Sequence, residues 1–236
     1  MGTLPTFLSV NTERAKNEKE CTMIDRNTYN LMKKKYGKVA SWAVWSHQTE
    51  KGKPKSNMGD MEWARDEKSL LPKLNPKFVL VGLNKSKRKK NKRQNDNDEN
   101  DNAKTLWKNF HSGNSRGHSY KLRYALKGTK FWGAYMTDLF KEVEETDSKK
   151  VVSRFKKDKA ALEKQMKDFE REISHLGGNP VLVALGNATH DFLMPLKDKY
   201  PAIKKLPHYS YSRISKEQYR DKVREMLKAY RVGSKK

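Results

Sequence analysis

The chain of 236 residues has a single cysteine, Cys21. One thiol excludes an internal disulfide framework and any iron–sulfur cluster held by several cysteines of this chain. Reducing cytosol is the natural setting for such a composition. No apolar run approaches the roughly 18 residues of a membrane helix, so no membrane partner is expected. The stretch Met1–Val10 lacks a basic start followed by an apolar run, so no signal peptide is expected there. His175 and His190 stand apart, and neither His-x-x-x-His nor Cys-x-x-Cys spacing occurs, so no metal site and no cofactor is expected. Glycine-rich phosphate loops of the Walker or dinucleotide type are missing as well, and there is no internal repeat.

What is abundant is positive charge. Fifty-two Lys and Arg stand against 28 Asp and Glu, a formal charge of +24, and they are spread over the whole chain. Such a charge repels itself in a compact monomer, so a polyanionic partner is the natural explanation, with solubility as the plain alternative. Apolar residues are 35% of the chain, enough at this length for one real core.

Residues 1–24 are polar and poorly periodic and read as an arm. Residues 25–76 read as a helical extension packed on the core. Within it, Asp25–His47 is expected to be helical, capped by Asp25 and divided at Gly37, and a short helix is expected over Gly59–Leu71. The remainder, 77–232, alternates strands and helices. Phe78–Val81 (running into a sharp turn at Gly82), Gly133–Asp138, Pro180–Gly186 and Ile203–Leu206 are the expected strands. Tyr120–Leu126, Asp158–Leu176, Asn187–Leu196 and Ser215–Tyr230 are the expected helices, the last with Glu217 close behind Ser215 as in a capping box. Residues 139–157 read as a charged linker. This pattern predicts a three-layer α/β/α sandwich around a central, mainly parallel four-stranded sheet. A low-complexity insertion at about 86–104 interrupts it, with Lys85, Lys87, Arg88 and further cations followed by an Asp/Glu/Asn run. Its basic half either holds phosphates or is a solvated charge run.

Three strand ends then carry polar residues: Asn84, Asp138 and His208. Ligands of open α/β sheets bind at the carboxyl ends of strands, so these positions are where chemistry is expected. Taken singly, Asn84 is equally a turn or helix cap. Taken alone, Phe110 and Trp107 read as core aromatics, and His111 beside them as structural or phosphate-facing.

Gly82-Leu83-Asn84-Lys85-Ser86 and Pro207-His208-Tyr209-Ser210 resemble the first and second motifs of the uracil-DNA glycosylase superfamily, nearest the branches with a Gly-x-Asn first motif. Ala134–Asp138 resembles the family strand that usually ends in a base-reading Asn, and Val181–Leu193 its strand-Gly-Asn/Ala-helix segment. The resemblance spans about Lys77–Tyr230. It departs from the family at Lys85 and Tyr209, which replace motif prolines, and at Asp138, which replaces Asn. An ionised Asp only accepts hydrogen bonds, which suits an exocyclic amine better than the O4 of uracil.

The resemblance implies a monofunctional DNA glycosylase, a cofactor-free monomer acting on double- or single-stranded DNA in the cytoplasm (nucleoid-associated) or the nucleus. Asn84 would orient the water that attacks C1′, and His208 would donate to the leaving base. Phe110, Asp138 and Leu83 would bind the flipped base. Ser86, Lys85, Lys87, Arg88, Asn187 and Ser210 would hold phosphates, with Tyr211 and Arg213 on a loop that enters the minor groove. The alternative is a catalytically weak or inactive module of the same fold that recognises modified or single-stranded DNA, and a third reading directs it to RNA.

Overall fold

The computed structural model describes residues 24–45, 67–85, 106–107, 109–111 and 118–233. The arm, the basic loop at 48–58, most of the expected 59–71 helix and the 86–104 insertion lie outside the described residues.

The sheet grows from the apolar run that begins at Phe78. Strand β2 spans Asn75–Asn84 and is buried from Phe78 to Leu83, so it starts earlier than expected and runs straight through Gly82, which pairs with Asp138 on the neighbouring strand instead of turning the chain. Its early residues include Pro76, which lies where the pairing register shifts between Asn75 and Val79, a position that spares the missing N–H. Parallel neighbours flank it on both sides: β3 (Ala134–Phe140) and β4 (Val181–Leu185). Strand β5 (Ile203–Leu206) adds to β4 in parallel, and its Lys204 and Lys205 place charge on an edge strand, a common guard against edge-to-edge pairing.

Among the described residues five strands form the sheet, not four, in the order β1 (Ser41–Trp42)-β3-β2-β4-β5. The additional one, β1, pairs antiparallel with β3 and comes from the stretch expected to be helical up to His47. Helix α1 (Arg26–Tyr36) ends at Gly37, where a Cβ would fall 2.5 Å from the Lys33 carbonyl oxygen. Asp25 caps α1 by accepting from the Thr28 N–H at 2.9 Å, a contact worth about 1 kcal/mol.

Short helix α2 (Glu67–Leu70) precedes β2. Helix α3 (Ser119–Leu126) precedes β3. The stretch read as a charged linker contains a ten-residue helix, α4 (Ser148–Lys157), which hands over at Asp158 to α5 (Lys159–Ser174). Helix α6 (Asn187–Leu193) follows β4, and α7 (Lys216–Gly233) closes the chain. Gln218, not Glu217, completes the capping box on α7: its side chain accepts from the Ser215 N–H at 2.9 Å, and the Ser215 hydroxyl accepts from the Gln218 N–H at 3.1 Å.

Alternation along the strands sorts the core into two layers. Val79, Val81, Leu83, Tyr135 and Leu139 pack under α1, α4, α5 and α6, whereas Phe78, Leu80, Met136, Val183 and Leu185 pack under α3 and α7. The result is a three-layer α/β architecture. Among the described residues no helix is long and apolar enough to cross a membrane.

Candidate functional site

The strand order fixes where a ligand belongs. Counting the parallel strands along the chain, their spatial order is second, first, third, fourth. The chain reverses direction between β2 and β4, and in open α/β sheets such a point marks the ligand crevice outside the carboxyl ends of the strands, which makes it the candidate crevice here. Asn84 ends β2, and Gly186 follows the end of β4.

Gly82 shows how tight this corner is. It pairs in register with Asp138 on β3. A Cβ on Gly82 would lie 2.2 Å from Asp138 Oδ1 and 3.1 Å from the Phe110 ring, so no other residue fits without displacing both. Asp138 is therefore not at a strand end, because β3 continues to Phe140. Its carboxylate is 4% exposed and lies across the bare backbone of β2.

Asn109 holds that carboxylate. Its Nδ2 donates to Asp138 Oδ2 at 2.8 Å and to the Val39 carbonyl at 2.7 Å, while its Oδ1 accepts from the Phe110 N–H at 3.1 Å. Phe110 adopts a left-handed φ of 65°, which turns the chain sharply beside the carboxylate. Burial pushes the Asp138 carboxyl up to about 6, against the opposing pull of Asn109, Lys141 and Lys85. Nothing in the sequence reading singled out Asn109. The available signal was its place immediately before Phe110.

Across the crevice stands His208. Gly186, at φ 103°, brings β4 so close that a Cβ there would lie 3.6 Å from His208 Cβ. The Ser210 N–H donates to His208 Nδ1 at 3.2 Å, and the Ser210 hydroxyl lies 2.7 Å from the same nitrogen. Nδ1 is thus an acceptor, so the neutral ring carries its proton on Nε2 and donates from there. Burial lowers the His208 pKa to about 4, which keeps the ring neutral at physiological pH. Tyr209 stacks on His208 with ring centroids 4.5 Å apart and approaches Phe110 at 6.3 Å, so one aromatic run joins the two sides of the crevice.

Other expected site residues take different places. Asn84 is half-buried, and its Nδ2 donates to the carbonyls of Lys85, Val143 and Glu145 at 3.1, 3.1 and 2.8 Å. The amide nitrogen thereby fastens the loop between β3 and α4. Its Oδ1 keeps an acceptor to offer. Leu83 points to the opposite face of the sheet and packs in the core under α1 and α5, because successive strand residues alternate. Its side chain cannot line this crevice. Trp107 is core as well: its Nε1 donates to the Tyr29 hydroxyl at 3.1 Å, and it packs on Trp42 and Tyr135. His111 is buried with Nε2 3.0 Å from the Trp42 carbonyl oxygen. Ser210 engages His208 and is a positioning residue first.

Lys85 is exposed and 3.8 Å from Glu144, a weak surface pair. Asn187 is exposed at the start of α6. Ser86, Lys87 and Arg88 lie outside the described residues. Tyr211, Ser212 and Arg213 form an exposed turn. Buried Lys121 braces it by donating to the carbonyls of Tyr211 at 2.9 Å and Ile214 at 2.6 Å. Tyr211 is 47% exposed, unusual for a large apolar side chain on a held turn. Among the described residues no group of three or more His, Cys, Asp and Glu side chains comes together as a metal site.

Comparison with protein-family models, with curated proteins and with solved structures gives no match for this chain.

Proposed function

We propose that the chain is a DNA glycosylase of the uracil-DNA glycosylase-like kind, which flips a nucleotide into the crevice and hydrolyses its N-glycosidic bond. The observation that carries this reading is the pairing of a neutral His208, fixed as an Nε2–H donor by Ser210, with the Asp138–Asn109 acceptor across the crevice. A base that offers a carbonyl to one side and an amine to the other satisfies both. The electropositive chain grips phosphates, and Tyr211 fills the gap left by the flipped base.

In the reaction, Asn84 Oδ1 orients a water toward C1′. The oxygen of that water bonds to C1′ as the bond from C1′ to the base nitrogen breaks; the electron pair leaves with the base, and the proton lost by the water passes through solvent to the departed base, leaving a hydroxyl on C1′. The His208 Nε2–H group donates to the base oxygen as charge develops there. Phe110 lies along the base. Asp138, ionised above about pH 6, favours a base with an exocyclic amine over uracil.

The test is single-turnover base release from single- and double-stranded oligonucleotides carrying uracil, hypoxanthine, xanthine, mispaired thymine or hydroxymethylated pyrimidines, including hydroxymethylcytosine. Cleavage on one substrate, reduced by orders of magnitude in Asn84→Ala and weakened in His208→Ala, supports the assignment. Full activity in both variants overturns it. One observation favours the binding-module alternative: three backbone carbonyls engage the Asn84 amide nitrogen, as a purely structural Asn would be engaged. Tight, salt-sensitive binding with no release on any substrate would select that alternative.

A further inference from the structure

Helix α4 carries a feature that base chemistry does not use. Its ten residues include Lys149, Lys150, Arg154, Lys156 and Lys157 and no acid. Val151 and Phe155 seat it on the protein, with Phe155 stacked on Phe140 at 3.9 Å and Phe140 meeting Phe192 of α6 at 5.0 Å. Two cations are occupied: Lys150 lies 4.0 Å from Glu145, and Arg154 lies over the Phe155 ring.

The remaining three line an open groove of about 520 Å³ together with Ser148, Val152, Ser153 and Ala188. Lys149, Val152, Ser153, Lys156 and Lys157 follow the spacing i, i+3, i+4, i+7, i+8, so they form one continuous stripe of the helix. Among the described residues none of these lysines is within ion-pair distance of an acid. The two acids nearest in sequence are turned away as caps: Asp147 accepts from the Lys149 N–H and Asp158 from the Ala161 N–H, each at 2.9 Å.

We propose that this groove is a phosphate track for a single nucleic-acid strand running away from the candidate site. Its position supports this. Ala188, on the groove floor, is two residues beyond Gly186, which abuts His208. Its dimensions support it too. Lys149 and Lys156 are seven residues apart, about 10 Å along a helix, wider than one phosphate and suited to anions repeated along a chain. The floor formed by Val152 and Ala188 is apolar and the rim cationic, which matches a strand with sugars and bases between its phosphates. The inference rests on the nucleic-acid part of the reading above and not on base release.

The experiment is fluorescence anisotropy of the full chain with a 20-nucleotide homothymidine strand at a series of salt concentrations. It compares wild type, the triple variant Lys149→Gln/Lys156→Gln/Lys157→Gln, and a control of equal charge loss, Lys222→Gln/Arg224→Gln/Lys228→Gln on α7. All six side chains are exposed and Gln is as good a helix former as Lys or Arg, so both variants should stay folded and, with equal charge loss, melt alike. Each phosphate neutralised on a single strand releases counterions and contributes about 0.7 to the slope of log K against log salt. The groove variant should therefore bind with a slope shallower by about 2, and the control by clearly less. Equal slopes in wild type and groove variant, or equal losses in the two variants, overturn the proposal. So does competition by poly-glutamate as effective as that by unlabelled strand. Base release is read separately: an active glycosylase with an unchanged slope loses the groove alone, and a shallower slope without release keeps the groove and sinks the glycosylase.

Discussion

At the scale of single residues, Asp138 is the group whose chemistry changes within the working pH range. Its folded pKa is raised to about 6 from 3.8, chiefly by burial. Ionised, it accepts from an amine; protonated, it donates to a carbonyl such as O4 of uracil. Base preference should therefore shift toward uracil as pH falls through about 6, and Asp138→Asn should remove that shift. Competition assays between uracil and an amine-bearing substrate at pH 5 and pH 8 would measure it, and a preference independent of pH would remove Asp138 from base reading. His208 does not compete for this inflection, since its pKa lies near 4. Stability gives a second readout. A raised carboxyl pKa contributes stability that is full below pH 3.8 and is lost as pH rises through 6. Asn does not titrate, so the stability of Asp138→Asn relative to wild type should grow by about 2 kcal/mol between pH 4 and pH 7.5, as read from urea midpoints. The depressed His208 has the opposite sign, with stability present above pH 6.5 and lost as pH falls through about 4. The two oppose each other in wild type, so only the difference between variants isolates either one. On the proposed function, Ser210→Ala should lower the rate of base release modestly with little change in substrate affinity, because it removes the hydroxyl contact to His208 Nδ1 and keeps the backbone N–H that sets the tautomer.

At the scale of elements, a buried polar network ties β3 to α5. Fully buried Glu172 on α5 accepts from the Tyr135 hydroxyl at 2.7 Å and the Thr137 hydroxyl at 2.9 Å and pairs with Lys141. Lys141 in turn donates to the Asp138 carbonyl at 2.9 Å. Glu172→Ala would leave two hydroxyls unpartnered and strip Lys141 of its counter-charge, and it should cost about 3–5 kcal/mol, seen as a fall in urea midpoint without a change in m-value. A loss below 1 kcal/mol would show that the pair nearly balances its own desolvation. Legibility in the sequence divides along the same line. The runs Phe78–Leu83 and Val181–Leu185 are buried on both faces, and their composition alone marks them as strands. Strand β1 has two residues, and its conformation follows from pairing with β3, which no local pattern encodes. Helix α4 offers one apolar pair, Val151 and Phe155, amid cations, so it read as linker until Phe140 gave that pair something to cover. The same holds at the site. Gly82, Asn84 and His208 stand at recognisable motif positions, whereas Asn109 and Ser210 gain their roles through contacts with side chains distant in sequence or hidden in a turn.

At the scale of the whole molecule, the charge of +24 has to act on the folded state. Like charges brought together by folding destabilise the compact form, and salt screens them over a Debye length of about 10 Å at 0.1 M. Raising salt from about 10 to about 200 mM should thus raise the melting temperature of the free protein. A polyanion that recognises a shaped surface binds the folded chain better than the unfolded one and stabilises it by mass action. At low salt, a saturating single strand should raise the melting temperature further, and this increment should shrink as salt rises because counterion release weakens with it. The two slopes have opposite sign, so the melting curves with and without strand should converge at high salt. If the charge serves solubility alone, folded and unfolded chains attract the strand alike, and no increment appears at any salt concentration. Scanning calorimetry across a salt series, with and without a 20-nucleotide strand, separates the two cases without any knowledge of the base.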